Sequence, residues 1–100
     1  MASPNLGTEK DLGFYQLTGL AAAKKLSSAT TIPKGAAFIY IQPETQNVRW
    51  RSDGTSPTAA IGNLEVVGGR TKYNLSAMED LSFIEVAASA TVNIQFTGLV

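Results

Sequence analysis

The sequence predicts an all-β domain, a single antiparallel β-sandwich or small barrel with a jelly-roll-like arrangement as one form, preceded by an extended N-terminal arm. Short stretches with β-prone or alternating residues recur along the chain and are separated by turn signals at roughly 8–12 residue spacing. No segment offers the long crossover helix that parallel strands require. The chain has 100 residues, which is the size of one domain with one core. We therefore expect an arm over residues 1–11 and one β domain over residues 12–100.

The first quarter of the chain carries the arm and one strand. Residues 1–11 are polar, contain Pro4 and Gly7, and show neither a strand nor a helix period. Residues 12–18 combine aromatic and β-prone residues over strand length. Residues 20–26 are rich in Ala, Leu and Lys, which favour helix, but the run is too short to hold a helix alone. We predict strand or irregular structure there, with a short helix as the alternative.

The middle of the chain predicts a hairpin. Pro33 and Gly35 form a turn, and residues 36–42 then alternate with apolar side chains on both faces, which is typical of a central strand. A second turn over residues 43–46 leads to a strand over residues 47–52. In that strand Val48 and Trp50 share one face, and Arg49 and Arg51 share the other. We expect these two strands to pair with each other.

The second half predicts a loop, four strands and a short turn. Residues 53–58 concentrate Asp, Gly, Ser and Pro and are expected to form an exposed loop. Strands are predicted at residues 63–67, 71–75, 82–87 and 91–97, and Ser76 and Glu79 have capping-box spacing for a helical turn. The strand at 71–75 is expected to be half-buried, with Tyr73 and Leu75 on its apolar face. The last strand alternates most regularly, and its inward residues are Val92, Ile94 and Phe96. We expect the core to form around Trp50, Ile94 and Phe96.

Composition excludes most familiar active sites. The chain has no Cys and no His, so it lacks a thiolate nucleophile, a disulfide and the most common metal ligand. Carboxylate pairs of Asp53 with Glu44, Glu65 or Glu85 are conceivable for glycoside hydrolysis, but solvated surface carboxylates explain them better. We therefore predict no enzyme activity, no metal and no cofactor.

The charge balance and hydropathy also limit the partners. Eight basic residues balance eight acidic ones, which removes the general attraction to phosphate backbones and argues against nucleic acid as a partner. The longest largely apolar stretch, residues 17–26, is interrupted by Lys24 and Lys25, so no membrane partner is predicted.

The Arg49-Trp50-Arg51 triplet has two interpretations. In a regular strand Trp50 points away from both arginines, which favours a core tryptophan with two surface arginines. The arginines could also serve a protein interface, where arginine is favoured. A different function class, a carbohydrate-binding β-sandwich, would use Trp50, Tyr40 or Tyr73 as a stacking platform.

Residues 48–59, Val-Arg-Trp-Arg-Ser-Asp-Gly-Thr-Ser-Pro-Thr-Ala, followed by Gly62, Leu64 and Gly68, carry a family resemblance. The segment resembles small tailed-bacteriophage virion accessory proteins with the pattern V-R-[WY]-R-x-D-G-T-x-P-T-A. The resemblance covers about residues 30–97, and Ser52 stands where that pattern often has an acidic residue. Most members of this group have no assigned function.

The resemblance implies a structural protein of the virion, assembled in the host cytoplasm. A capsid cement or decoration protein that stabilises the head lattice is the first expectation, and a neck or tail accessory is the alternative. The implied partners are the major capsid protein or other virion proteins, and the chain is expected to form a homo-oligomer. The candidate interface residues are Arg49, Arg51, Asp53, Thr55 and Pro57.

Overall fold

Alternating side chains and frequent turns give the described part of the chain eight strands and little helix. The computed structural model describes residues 8–78 and 80–99. The strands are β1 (Glu9–Leu17), β2 (Lys24–Lys25), β3 (Phe38–Glu44), β4 (Val48–Arg51), β5 (Asn63–Glu65), β6 (Thr71–Asn74), β7 (Ser82–Glu85) and β8 (Thr91–Leu99). Helical structure in this part of the chain consists of the single turn α1 (Leu26–Ala29) and a 3₁₀ turn at Leu75–Met78. The predicted all-β class is confirmed.

The strands form two antiparallel four-stranded sheets that pack as a sandwich. Sheet I has the order β1-β8-β3-β6, and sheet II has the order β2-β7-β4-β5. Every connection between consecutive strands passes from one sheet to the other, except the loop from β4 to β5. This alternation over eight strands is the strand order of a jelly roll, the two-sheet form of closure that limits free sheet edges. The predicted antiparallel sandwich is therefore confirmed in its jelly-roll form.

The predicted hairpin between the strands at residues 36–42 and 47–52 is wrong. β3 pairs with β6 and β8, whereas β4 pairs with β5 and β7 in the other sheet. At the turn, Thr45 has a φ of 74°, and the Gln46 N–H donates to the Glu44 carbonyl at 2.9 Å. The turn thus carries the chain across the core, because both strands bury one face against the opposite sheet instead of pairing edge to edge.

The core lies between the two sheets. Trp50, Ile94 and Phe96 are all buried, as predicted, and Val92, Ile94 and Phe96 face inward while Asn93 and Gln95 are more accessible. The buried apolar residues are Leu17, Leu20, Leu26, Ile39, Ile41, Val48, Trp50, Leu81, Phe83, Ala90, Val92, Ile94 and Phe96. β3 is central in sheet I, as its sequence predicted.

Element boundaries differ from the prediction at several places. β1 begins at Glu9, so residues 9–11, predicted as part of the arm, pair with the end of β8. Thr8 precedes the strand as irregular, exposed chain, and residues 1–7 of the predicted arm lie outside the described residues. The stretch at 20–26 contains the two-residue strand β2, and its last residue, Leu26, begins a one-turn helix. The 3₁₀ turn begins at Leu75, one residue before the predicted cap, and Glu79 lies outside the described residues.

Candidate interaction surface

The loop between β4 and β5 is organised by its own polar side chains. The Asp53 carboxylate accepts the Thr55 N–H at 3.2 Å and two bonds from Arg51, of which the Nε bond is 3.1 Å. The Thr58 hydroxyl accepts the Ile61 N–H at 2.9 Å, and the Thr58 N–H donates to the Ile61 carbonyl at 2.8 Å. These are the side-chain-to-backbone bonds that stabilise Asx and Ser/Thr turns.

Arg49 fastens this loop to the sheet. Its Nε donates to the Ala59 carbonyl at 3.1 Å, and its Nη1 donates to the Gly62 carbonyl at 2.9 Å. Gly62 has a φ of +144°, and a Cβ there would lie 3.1 Å from the Arg49 Cβ and 3.2 Å from the Pro57 Cβ. Only glycine allows this close approach. Several residues of the segment that carries the family resemblance therefore serve to hold the conformation of this loop.

Of the five predicted interface residues, two line a common cleft and three do not. Arg49 donates hydrogen bonds to loop carbonyls, Pro57 is buried, and Thr55 is exposed on the loop. Arg51 and Asp53 line a cleft of about 430 Å³ together with residues 61–63 and Ser52. The Arg51 hydrogen bonds hold the pKa of the Asp53 carboxyl below its usual value, and the same contact raises the pKa of Arg51.

Strand β5 has an inverted hydrophobic pattern. Leu64 is 47% exposed and Val66, just after the strand, is 56% exposed, whereas Glu65 between them is only 7% exposed. Ordinary alternation would place the two aliphatic side chains inside and the carboxylate outside. An inward-pointing charged residue on an edge strand also discourages unwanted strand pairing.

Glu65 lies in a polar cluster that joins the edge strands of the two sheets. Its Oε1 accepts the Trp50 Nε1–H at 3.1 Å and the Tyr73 hydroxyl, and its Oε2 accepts the Thr71 hydroxyl at 3.0 Å. The Trp50 and Tyr73 rings meet edge to face, with centroids 5.2 Å apart. Burial, and next the hydrogen bond to Glu65, raise the pKa of Tyr73 to about 12. Sequence reasoning placed Glu65 among solvated surface carboxylates and missed this cluster. The sequence signal for this cluster was a single carboxylate, Glu65, between the aliphatic residues Leu64 and Val66.

The inversion leaves aliphatic side chains on the outer side of sheet II. Leu64 stands opposite Arg49, which stands opposite Ile84 in β7. Val86 follows at the end of β7, where its N–H donates to the Asn47 carbonyl at 3.0 Å. Leu64, Val66 and Val86, together with Ile61 on the loop, are each at least 37% exposed. We refer to these four residues as the apolar face.

The outer side of sheet I is polar and aromatic. The Lys72 ammonium lies 4.1 Å from the Phe38 ring centroid, and the Arg70 guanidinium lies 4.0 Å from that of Tyr40. Glu9, at the opposite edge strand, accepts hydrogen bonds from Lys72 and Tyr40 and also from the Thr97 hydroxyl. The Lys72 bond, followed by those of Tyr40 and Thr97, lowers the pKa of Glu9 to about 2.

The predicted sugar-stacking platform is not assembled from its three candidates. Trp50 is only 8% exposed, and Tyr73 packs against it inside the sandwich. Tyr40 alone of the three lies on a solvent-facing side, under Arg70. These positions follow from strand parity, because Trp50 shares the inward face of β4 with Val48.

Glu44 and Glu85, the other carboxylates considered for catalysis, each accept a hydrogen bond from a different residue. Glu44 accepts a hydrogen bond from the Asn93 amide, and Glu85 accepts the Ala90 N–H at 3.3 Å. Among residues 8–78 and 80–99, acidic side chains do not gather in groups of three that could hold a metal ion. No helix within those residues combines the length and apolar character needed to cross a membrane.

Comparison with protein-family models, with curated proteins and with solved structures found no match to this chain.

Proposed function

We propose that this chain is a bacteriophage structural protein, a capsid cement or decoration protein that binds the head lattice through the apolar face of sheet II. The observation that carries the proposal is the inverted pattern of β5, in which Glu65 is buried while Leu64 and Val66 are exposed. The family resemblance of residues 48–59 supports the virion assignment, and the apolar face supports the protein-binding role.

The inversion is enforced by hydrogen bonds and is not a local irregularity. Glu65 receives three side-chain hydrogen bonds from Trp50, Thr71 and Tyr73, which offset the cost of removing its carboxylate from water. Because side chains alternate along a strand, the same register directs Leu64 and Val66 outward. Several exposed aliphatic side chains on one side of a small domain are typical of a protein-binding site.

The charges around the apolar face favour an uncharged protein surface as the partner. Arg51 forms an ion pair with Asp53, which compensates its charge, and Arg49 donates hydrogen bonds to two loop carbonyls. Interface cores are depleted in charged residues. On this side of sheet II Arg49 lies between Leu64 and Ile84, and its guanidinium is bonded to the loop. The adjoining cleft beside Ile61 has a volume that accommodates a protruding side chain of the partner.

A jelly roll is also a fold of viral capsid and lectin domains, which supports the proposal only as an analogy between folds. A neck or tail accessory would use the same kind of apolar contact, so the two roles differ in copy number. Quantitative mass spectrometry of purified particles separates them. A copy number in proportion to the major capsid protein supports decoration. Copies matching only the neck or tail contradict decoration, and absence from the particle contradicts the whole proposal.

The apolar face can be tested directly with the double variant Leu64→Ser and Val66→Ser. Both side chains are already exposed, so the core stays intact, and Leu99→Ser is a matched control because Leu99 is 57% exposed on sheet I. We expect the double variant to lose at least about tenfold in affinity for particles that lack the protein, equivalent to about 1.4 kcal/mol. The control should bind like the natural chain. Equal binding by all three proteins would contradict a docking role for the apolar face.

A further inference from the structure

A second candidate binding surface lies on the outer side of sheet I, on the opposite side of the sandwich from the apolar face. It is a shallow cleft of about 100 Å³ that crosses strands β1, β8 and β3 and the residue before β6. The residues that line it are Phe14, Tyr40, Gln42, Arg70, Asn93 and Gln95. None of the contacts assigned to the apolar face involves these residues.

The cleft presents one apolar ring beside fixed polar groups. Phe14 is 63% exposed, and it stands directly opposite Gln95 in the pairing of β1 with β8. Arg70 stacks over the Tyr40 ring and donates from Nη2 to the Gln95 Oε1 at 2.8 Å. The guanidinium is therefore held in one orientation before any ligand arrives, which reduces the entropy lost on binding.

Side-chain amides dominate the polar part of this cleft. Asn93 accepts the Gln16 amide at 3.0 Å, and Gln42 and Gln95 lie on neighbouring strands. Each planar amide offers both donors and an acceptor, which suits neighbouring hydroxyl groups that also donate and accept. An exposed aromatic ring suits the apolar C–H face of a pyranose.

Charged groups of both signs lie near the cleft. Glu44 accepts a hydrogen bond from Asn93 at its rim, and Lys72 is paired with Glu9. Arg70 is therefore not the only charged group at this cleft, and the whole chain has no net charge. A polyanion such as nucleic acid would meet a carboxylate here and gain little counterion release.

We propose that this cleft binds a neutral oligosaccharide, with Phe14 against a sugar ring and with Arg70 and the amides of Gln42, Asn93 and Gln95 on its hydroxyls. The cleft is smaller than the roughly 300–1,000 Å³ of a typical enclosing pocket, so a single site binds in the millimolar range. Repetition of the chain on a large assembly would raise the effective affinity through multivalency. The decoration role and the saccharide site occupy opposite sides of the sandwich, and each can hold without the other.

The test uses the isolated 100-residue chain and four neutral probes: maltoheptaose, cellohexaose, mannohexaose and N-acetylchitopentaose. Amide and side-chain shifts in ¹H–¹⁵N spectra, with saturation transfer to the sugar protons, measure binding at millimolar concentrations. We expect at least one probe to shift resonances of the cleft residues and to leave those of the apolar face unmoved. An oligothymidylate is the polyanion arm of the same experiment.

Variants distinguish specific binding in the cleft from non-specific binding elsewhere on the surface. Phe14→Ala and Gln42→Ala should each weaken binding at least threefold, while Leu99→Ser should bind like the natural chain. No shift with any of the four sugars would overturn the proposal, and so would cleft shifts produced by the oligothymidylate alone. Binding that is unchanged in both cleft variants would also overturn it. Particle attachment is measured separately, so failure here leaves the docking proposal standing, and the reverse is equally true.

Discussion

Replacing Glu65 tests whether hydrogen bonding, and not the carboxylate charge, holds the two sheet edges together. Glu65→Ala removes the acceptor of Trp50 Nε1–H, of the Thr71 hydroxyl and of the Tyr73 hydroxyl at once. Glu65→Gln keeps a side chain of the same shape and one oxygen that can accept from both Trp50 and Tyr73. Its amide NH₂ then faces the Thr71 oxygen, which accepts once its hydroxyl has rotated.

The two substitutions have very different expected costs. Each buried donor left without a partner costs about 1–3 kcal/mol, and three donors lose their acceptor here, two of them in part-buried bonds. We therefore expect Glu65→Ala to lower the free energy of unfolding by about 3–5 kcal/mol and Tm by at least about 12 °C. Glu65→Gln should stay within about 1 kcal/mol of the natural chain, because the weaker acceptor is offset by the smaller desolvation cost.

Urea denaturation followed by Trp50 fluorescence measures both values, because Trp50 is the single tryptophan and belongs to the cluster. Circular dichroism of the same samples checks that the two probes report one transition. Equal destabilisation by Gln and Ala would show that the charge itself is required. An Ala variant as stable as the natural chain would show that the cluster contributes nothing, and either result would refute the reasoning.

Three further predictions concern other parts of the sandwich. A carbon-detected NMR titration should place the pKa of Glu9 at about 2 instead of 4.5, and Lys72→Met should raise it. Because the pKa of Glu9 is depressed in the fold, the stability that Glu9 contributes is present above the pKa of the unfolded chain and is lost as pH falls towards 2. Acid denaturation of the natural chain and of Lys72→Met measures this loss. Gly98→Ala should lower stability by about 1–3 kcal/mol in urea denaturation, since the new Cβ would lie 2.6 Å from the Gly35 carbonyl oxygen; an unchanged midpoint would contradict this. Arg49→Ala should raise amide hydrogen exchange in the β4–β5 loop by about tenfold, whereas unchanged exchange would mean that its two carbonyl bonds do not hold the loop.

Strand identity and facing were predictable wherever local alternation was strong. In β8, Val92, Ile94 and Phe96 were expected inside and are inside, and in β4 Trp50 is buried with Val48. Alternation is a property of one extended strand, so it needs no knowledge of the partner strand. The loop after β4 was predictable for the same reason, because Asp, Gly, Thr and Pro form turns through bonds to their own backbone.

Strand pairing was not predictable in the same way. The turn at residues 43–46 looks like a hairpin connection, yet it carries the chain to the opposite sheet. The partners of β3 are β6 and β8, which lie far along the chain, so the pairing depends on how all eight strands share one core. The inversion of β5 has the same origin.

Composition and local pattern alone determined that this chain is an all-β protein, with Trp50 in its core and an ordered turn sequence after β4. Only the tertiary structure decided that Glu65 points inward and that Leu64 and Val66 point outward. The reason is that the Trp50 donor comes from β4 in one sheet and the Thr71 and Tyr73 donors come from β6 in the other, and they meet around one carboxylate only after the sheets have packed. A buried charge becomes stable when its donors are assembled by the fold, and no local sequence pattern records that assembly.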